Sequence, residues 1–398
     1  MSTKKDSRAI RVLVAGSVLQ LFLGIIYVWS VFVRPVSERF EWEIDQVKLT
    51  SSYMLCFFVL GILAGGKIQN RIGASKVVLS GGLLLSLGML ATSFIPSGFP
   101  WMIYGTYGIA GGFGVGMAYN AIISCAQKWF PQKRGLATGV SVCCFGFSTV
   151  IFAPLIEKFI EQTGLLMTFR ILAAAFGVTV ILLFHFIVLP DSTSGSHAAS
   201  SELLKKKQYT ISEMIKTRNF YFITLSLMFG TAAFFILNPS FKTLAEDRGV
   251  DPVASTIMVM ITGVANALGR LAVPFVSDKI GREKAALSIL AVTAAGAASL
   301  CFAENIVFIG VVAVIAFCYG GYSGIYPLIT ADRFGIQNVG SNYGAIMVGF
   351  ALSALLFPMI IGQIGDMTMK FIILAILAAA GAIMMMIPGL QKNKEGKV

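Results

Sequence analysis

Arg270 is the side chain in this sequence whose surroundings most demand a chemical explanation. It stands inside an apolar stretch, Ala254 to Val276, while all 19 aspartates and glutamates fall in connections, in tails or at the ends of such stretches. A guanidinium presents a planar fork of donors that matches a carboxylate with two parallel bonds, which a lysine does less well. An arginine with no protein acid to pair with is therefore a candidate cation for a carboxylate arriving from outside. The competing reading has Arg270 snorkel to the nearer surface, or pair with Asp278 or a backbone carbonyl. Against it, Asp278 lies eight residues on, about 12 Å along a helix, and helical side chains lean the other way, toward the N-terminus. Besides cysteine and tyrosine, one other titratable group sits within an apolar stretch, His185. Its imidazole titrates near neutral pH and is suited to moving a proton, yet its place at the stretch's end equally suits an interface.

The elements that hold these residues follow from composition. Of 398 residues, 56% are apolar or aromatic and 13% charged, with a mean hydropathy of +0.81. A water-soluble chain carries about 25% charged residues, so the solvent here is lipid. Twelve stretches, from Val12–Val33 to Phe371–Ile387, reach the length needed to span a bilayer as helices, about 20 residues each. The first follows a basic start (Lys4, Lys5, Arg8, Arg11) but is too long for a signal peptide and is read as a retained span. Six cysteines lie in apolar runs without a C-x-x-C pair, which suggests neither a disulfide framework nor a zinc site. The net charge of +12 is dispersed between the apolar runs rather than clustered, which argues against nucleic acid as a partner. With both termini in the cytoplasm, the inner side carries 22 lysines and arginines against 8 outside, the asymmetry expected of a multi-pass protein of the cell membrane.

The chain also repeats itself. N-R-I-G-A-S-K (Asn70 to Lys76) returns 208 residues later as D-K-I-G-R-E-K (Asp278 to Lys284). Gly135, Gly139, Phe145, Ser148 and Phe152 return at an offset of 205 as Gly340, Gly344, Phe350, Ser353 and Phe357. Two echoes in corresponding spans indicate duplication. The expected organisation is an amino-terminal six-helix bundle (1–189), a cytoplasmic linker with a Ser-rich stretch and Lys205 to Lys207 (190–219), and a carboxy-terminal six-helix bundle (220–398). Parallel halves related by an axis along the membrane normal describe a transporter that rocks about a central site.

G-G-K-I-Q-N-R-I-G-A-S-K resembles the loop signature of the major facilitator superfamily, with Asn70 where that family usually has aspartate. L-G-I-I-Y-V-W-S-V-F in the first span and K-W-F-P-Q-K-R-G-L-A-T-G after the fourth resemble its oxalate/formate antiporter branch, related to monocarboxylate transporters. The fold class implied is all-α, twelve transmembrane helices in two pseudo-symmetric bundles. The resemblance places Tyr27, Tyr119, Asn120, Tyr322 and Tyr326 on helices that line the cavity, and matches Tyr119 to a binding tyrosine of the antiporter branch. Phenolic hydroxyls suit a carboxylate, although each tyrosine alone is equally well read as a packed aromatic. Asn266 stands where animal monocarboxylate transporters often carry a proton-coupling aspartate; it can orient a guanidinium but cannot titrate. Phe145 and Phe350 are expected as walls or gates, or as simple packing, and Phe350 replaces a lysine of oxalate exchangers.

The duplicated frame pairs Arg270 with Ile62, so the expected site is charged on one side only and suits a single carboxylate with a short tail. The glycines 111, 112, 114 and 116 are read as helix packing, because nothing strand-like precedes them. No constellation of nucleophile, base and orienting group appears, so an enzyme is not expected, nor a cofactor or metal. The expected partners are a small carboxylate anion, protons and lipid, with the chain a monomer. Moving an anion against an inside-negative potential costs about 2.3 kcal/mol per 100 mV. Either a proton accompanies the anion or another anion leaves; proton symport of lactate- or pyruvate-like acids is the reading taken, with oxalate/formate-type exchange as the alternative and a transporter-like receptor as the rival class.

Overall fold

The computed structural model describes residues 2–190, 207–238, 251–361 and 364–395, together with 244 and 249. The Ser-rich stretch of the expected linker, Lys205 and Lys206 lie outside them. No strand occurs among the described residues, as lipid requires of a chain that must satisfy its backbone within each segment. The helices are α1 (Ser2–Leu23), α2 (Trp29–Phe40), α3 (Ile44–Ile72), α4 (Ala74–Thr92), α5 (Gly112–Trp129), α6 (Arg134–Thr163) and α7 (Leu165–Leu183). After the linker come the short α8 (Ile211–Met214), then α9 (Arg218–Leu237), α10 (Pro252–Ile280), α11 (Arg282–Ser299), α12 (Asn305–Phe334), α13 (Val339–Ile361) and α14 (Met367–Glu395).

Among the described residues, eleven helical segments are long and apolar enough to cross a membrane. The ninth expected span is also a helix, α11, but Arg282, Glu283 and Lys284 in its first turn shorten its apolar part. The first expected span is not continuous. It breaks into α1, a 3-10 turn (Gly24–Tyr27) and α2. The N–H groups of Val28 and Val31 donate to Ile25 O and Val28 O, at 2.9 and 3.0 Å, so the tightened turn keeps its backbone paired. The cause is tertiary: a Cβ on Gly24 would lie 2.1 Å from the Phe145 carbonyl oxygen and 2.5 Å from Ser148 Cβ on α6, an approach that glycine alone permits.

The fourth span starts as a π-helix (Tyr104–Gly111) and continues as α5. Its glycines bring backbones together, since a Cβ on Gly116 or Gly112 would meet Phe58 O or Met54 O of α3 at 2.0 and 2.3 Å. The two loops of the repeat take one shape, with Gly73 at φ 89° and Gly281 at φ 96° closing α3 and α10. In the described part of the linker, Thr210 and Glu213 form a capping box for α8. The backbone N–H and the hydroxyl of Thr210 donate to the Glu213 carboxylate and hold it below its ordinary titration range.

The first six spans meet the last six through polar contacts at the end that carries both repeat loops, here called the basic face. Arg134 pairs with Asp332 at 2.5 Å, the Asn120 amide donates to Gly340 O at 2.6 Å, and Asn70 meets Asn338 at 3.3 Å. Asp278 accepts from the N–H groups of Gly135 and Leu136, both at 3.2 Å, in the first turn of α6, and pairs with Arg282. A carboxylate at a helix N-terminus complements its free N–H groups and dipole. In the first copy of the repeat the corresponding residue is the neutral Asn70, whose amide donates to Asn338 Oδ1. Toward the opposite face α3 and α13 diverge around an apolar groove of about 390 Å³ lined by Leu49, Tyr53, Cys56, Phe350 and Leu355. Asp278→Asn is therefore expected to raise the population open at the basic face by about tenfold, for a loss of about 1.5 kcal/mol in charge-assisted bonding. Electron-electron distance measurements between labels at the exposed positions 133 and 279 check this, by growth of a longer-distance population.

Candidate functional site

Arg270 is 1% exposed, on the side of α10 that faces the first six spans. Its Nε donates to Asn266 Oδ1 one turn earlier, at 3.0 Å, and Nη2 donates to the Tyr27 hydroxyl at 3.3 Å. The guanidinium carbon lies 5.4 Å from the centre of the Tyr27 ring and 5.7 Å from that of Phe145, within cation–π range. Gly146 makes room for the stem, because a Cβ there would stand 3.1 Å from Arg270 Cδ and 3.2 Å from Nε. Among the described residues no carboxylate pairs with Arg270, and its other N–H groups make no hydrogen bond. The side chain does not snorkel; it is held between the two sets of helices.

Each neighbour owes its place to a local feature. The broken first span presents Tyr27 to the guanidinium from the turn that Gly24 allows. Phe145, on α6, packs edge-on against Tyr27 and Tyr119, with centroids at 5.6 and 4.8 Å. Tyr119 also meets Phe58 at 5.3 Å and lies in electrostatic reach of Arg270, as do Tyr319 and Tyr343. The result is a guanidinium in a basket of phenols and phenyl rings, donating to two neutral acceptors and to no carboxylate among the described residues.

Of the residues expected from sequence, the structure gathers Arg270, Asn266, Tyr27, Tyr119 and Phe145. It does not bring the Tyr322 and Tyr326 hydroxyls to Arg270. Tyr322 meets the Thr293 hydroxyl at 2.7 Å and donates to Ile289 O at 3.2 Å, and Tyr326 pairs with Ser226, because a buried phenol takes the nearest partner within its own bundle. Asn120 ties α3 to α13 through Ile62 O and Gly340 O. Phe350 packs on Phe235 at 5.0 Å and faces Tyr319 at 6.2 Å, one remove from the guanidinium. His185 is exposed in the short turn after α7, its ring against Phe184. Sequence reasoning passed over Tyr319, Tyr343 and Phe58. Tyr319 lies three residues before Tyr322 and seven before Tyr326, on the same helix face, so the spacing that singled out the later pair could have found it.

Comparison with known proteins bears on the family and the fold. The family model described as Major Facilitator Superfamily matches residues 14–358 and again 225–397. An Escherichia coli protein described as an uncharacterized MFS-type transporter is 26% identical over 349 residues, covering 86% of this chain and 85% of that one. The oxalate:formate antiporter of Oxalobacter formigenes is 26% identical over 325 residues, with 81% and 76% covered. Monocarboxylate transporter 13 of Rattus norvegicus is 23% identical over 367 residues, with 90% and 83% covered. Among solved structures, a proton:xylose symporter superposes with a TM-score of 0.71 at 16% identity, covering 96% of each chain. That family match and fold, together with a buried cation between two sets of apolar helices, identify the chain as a multi-pass membrane transporter that belongs to the major facilitator superfamily.

Proposed function

We propose that this transporter carries small monocarboxylates, of the lactate or pyruvate kind, by alternating access, with a proton moving in the same direction. The observation that carries the reading is the buried Arg270 guanidinium, oriented by Asn266 and Tyr27 and unpaired with any carboxylate among the described residues. A carboxylate substrate completes the ion pair, and the rings of Tyr27, Tyr119 and Phe145 enclose a short tail. Phe350, set among Phe235 and Tyr319, gives a second carboxylate nothing to bind, which favours a monoacid over oxalate. Relatives named as an oxalate:formate antiporter and as a monocarboxylate transporter support an anionic cargo. The reading places the basic face and both termini in the cytoplasm, the site between two six-helix bundles and the protein in the cell membrane as a monomer.

Radiolabelled lactate uptake into proteoliposomes under an imposed pH gradient, with competition by pyruvate, formate, acetate and oxalate, tests the proposal. Symport predicts stimulation by an acid exterior without internal anion, and stronger competition by pyruvate than by oxalate. An absolute need for internal anion, with oxalate the best competitor, assigns the protein to exchange instead. Tight lactate binding with no flux would make it a receptor.

A further inference from the structure

A second polar feature runs from the Arg270 site to the basic face. Arg134, Thr138, Ser141 and Phe145 recur at intervals of four and three on α6 and so share one side of the helix. Phe145 is in contact with the Arg270 site, and Arg134 lies at the basic face, about 16 Å away along the helix. Thr138 and Ser141 are fully buried, yet their hydroxyls have no hydrogen-bond partner among the described residues, nor do Nε and Nη1 of Arg134. Buried polar groups are normally paired, and each one left unpaired is costly. Five other buried threonines, Thr92, Thr168, Thr231, Thr293 and Thr330, avoid the cost by donating to the carbonyl four residues back at 2.8 to 2.9 Å, although Thr50 and Thr224 do not. Thr138 does not, so its hydroxyl stays available for another partner.

Arg134 is occupied only in part, and by a carboxylate of the opposite half. Its Nη2 meets Asp332 Oδ1, while Asp332 Oδ2 lies 3.6 Å from Arg282 Nε. Asp332 and Arg282 both belong to the last six spans and Arg134 to the first six. When the halves part at the basic face, Asp332 keeps Arg282 and Arg134 is left without its anion.

We propose that Arg134, Thr138 and Ser141 form a second anion-binding station, which takes over the substrate carboxylate from Arg270 when the basic face opens, Asp332 standing in for it while that face is closed. This rests on the carboxylate reading above. The station offers a guanidinium and two hydroxyl donors in a row, a set suited to a monovalent carboxylate and unsuited to a cation.

Cysteine placed in the lane reads its potential directly. Ser141→Cys is treated from the basic face with an anionic methanethiosulfonate and with a cationic one of similar size, against a parent whose six cysteines are removed. The expected result is reaction at least tenfold faster with the anionic reagent, a preference lost in Arg134→Gln and kept in Arg134→Lys. Equal rates, a preference indifferent to Arg134→Gln, or no reaction at this position would overturn the proposal. Thr138→Cys is expected to give the same ordering and serves if Ser141→Cys does not fold. Because the reagents report the charge of the lane whatever the protein carries, failure here is distinct from failure of the carboxylate reading, which shows in lactate uptake.

Discussion

Arg270→Lys is expected to lower the initial rate of carboxylate uptake by about 10- to 100-fold, for the loss of a charge-assisted bond of about 1.5 to 3 kcal/mol. Lysine keeps the positive charge but offers one ammonium in place of a planar fork. It also loses the bond from Nε to Asn266 that turns the guanidinium and the bond from Nη2 to Tyr27 that links the two sets of helices. Arg270→Gln, which removes the charge, is expected to abolish measurable uptake. Initial rates in proteoliposomes, normalised to the amount of monodisperse protein, check both variants. Uptake of normal rate in Arg270→Lys would mean that a point charge suffices and that the fork is not used.

Gly24→Ala is expected to damage the site with a single methyl group, lowering both the melting temperature in detergent and the affinity for carboxylate. The added Cβ would stand 2.1 Å from the Phe145 carbonyl oxygen, which belongs to a helix backbone and cannot rotate away. Overpacking of this kind costs about 1 to 3 kcal/mol. Because the 3-10 turn carries Tyr27, pushing it off α6 also withdraws a phenol from Arg270. Gly73→Ala, on a loop where a Cβ would meet nothing within 4 Å, provides the contrast: it strains a positive φ but leaves the site in place. Thermal unfolding and lactate titration of the two variants side by side separate the effects, with only Gly24→Ala expected to weaken binding.

The long helices were legible because lipid leaves a spanning chain few alternatives, and apolar length alone marks most of them. Arg270 was legible for the same reason: a charge inside an apolar run stands out against a background that excludes charge. The duplicated loops, too, carried their shape in their letters, and Gly73 and Gly281 adopt matching backbone angles. What escaped depends on partners distant in sequence. The stretch Val12–Val33 is apolar throughout, and nothing in it marks a break at Gly24; the break is set by Phe145 and Ser148 on a helix more than a hundred residues away. Tyr322 and Tyr326 have the right chemistry and spacing for a site, but Thr293 and Ser226 claim their hydroxyls. Tyr319 has the same chemistry, and its electrostatic reach to Arg270 appears only once the helices are packed.

The asymmetry of the site has a functional consequence. One half supplies the cation and the other supplies Tyr27, Tyr119 and Phe145, so a carboxylate bound as proposed would be gripped from both sides. On the proposed reading, binding draws the halves together. Asp278 and Arg134, which join the halves at the basic face, oppose opening there and are overcome by the same binding energy.

The most direct test of the central claim is calorimetric titration of lactate into the purified protein and into Arg270→Gln, each shown to be folded by its thermal unfolding. The account predicts saturable binding of one lactate to the native protein and much weaker binding to the variant, which keeps only the station at Arg134. Binding of equal affinity in both would contradict it and leave the buried guanidinium without a ligand.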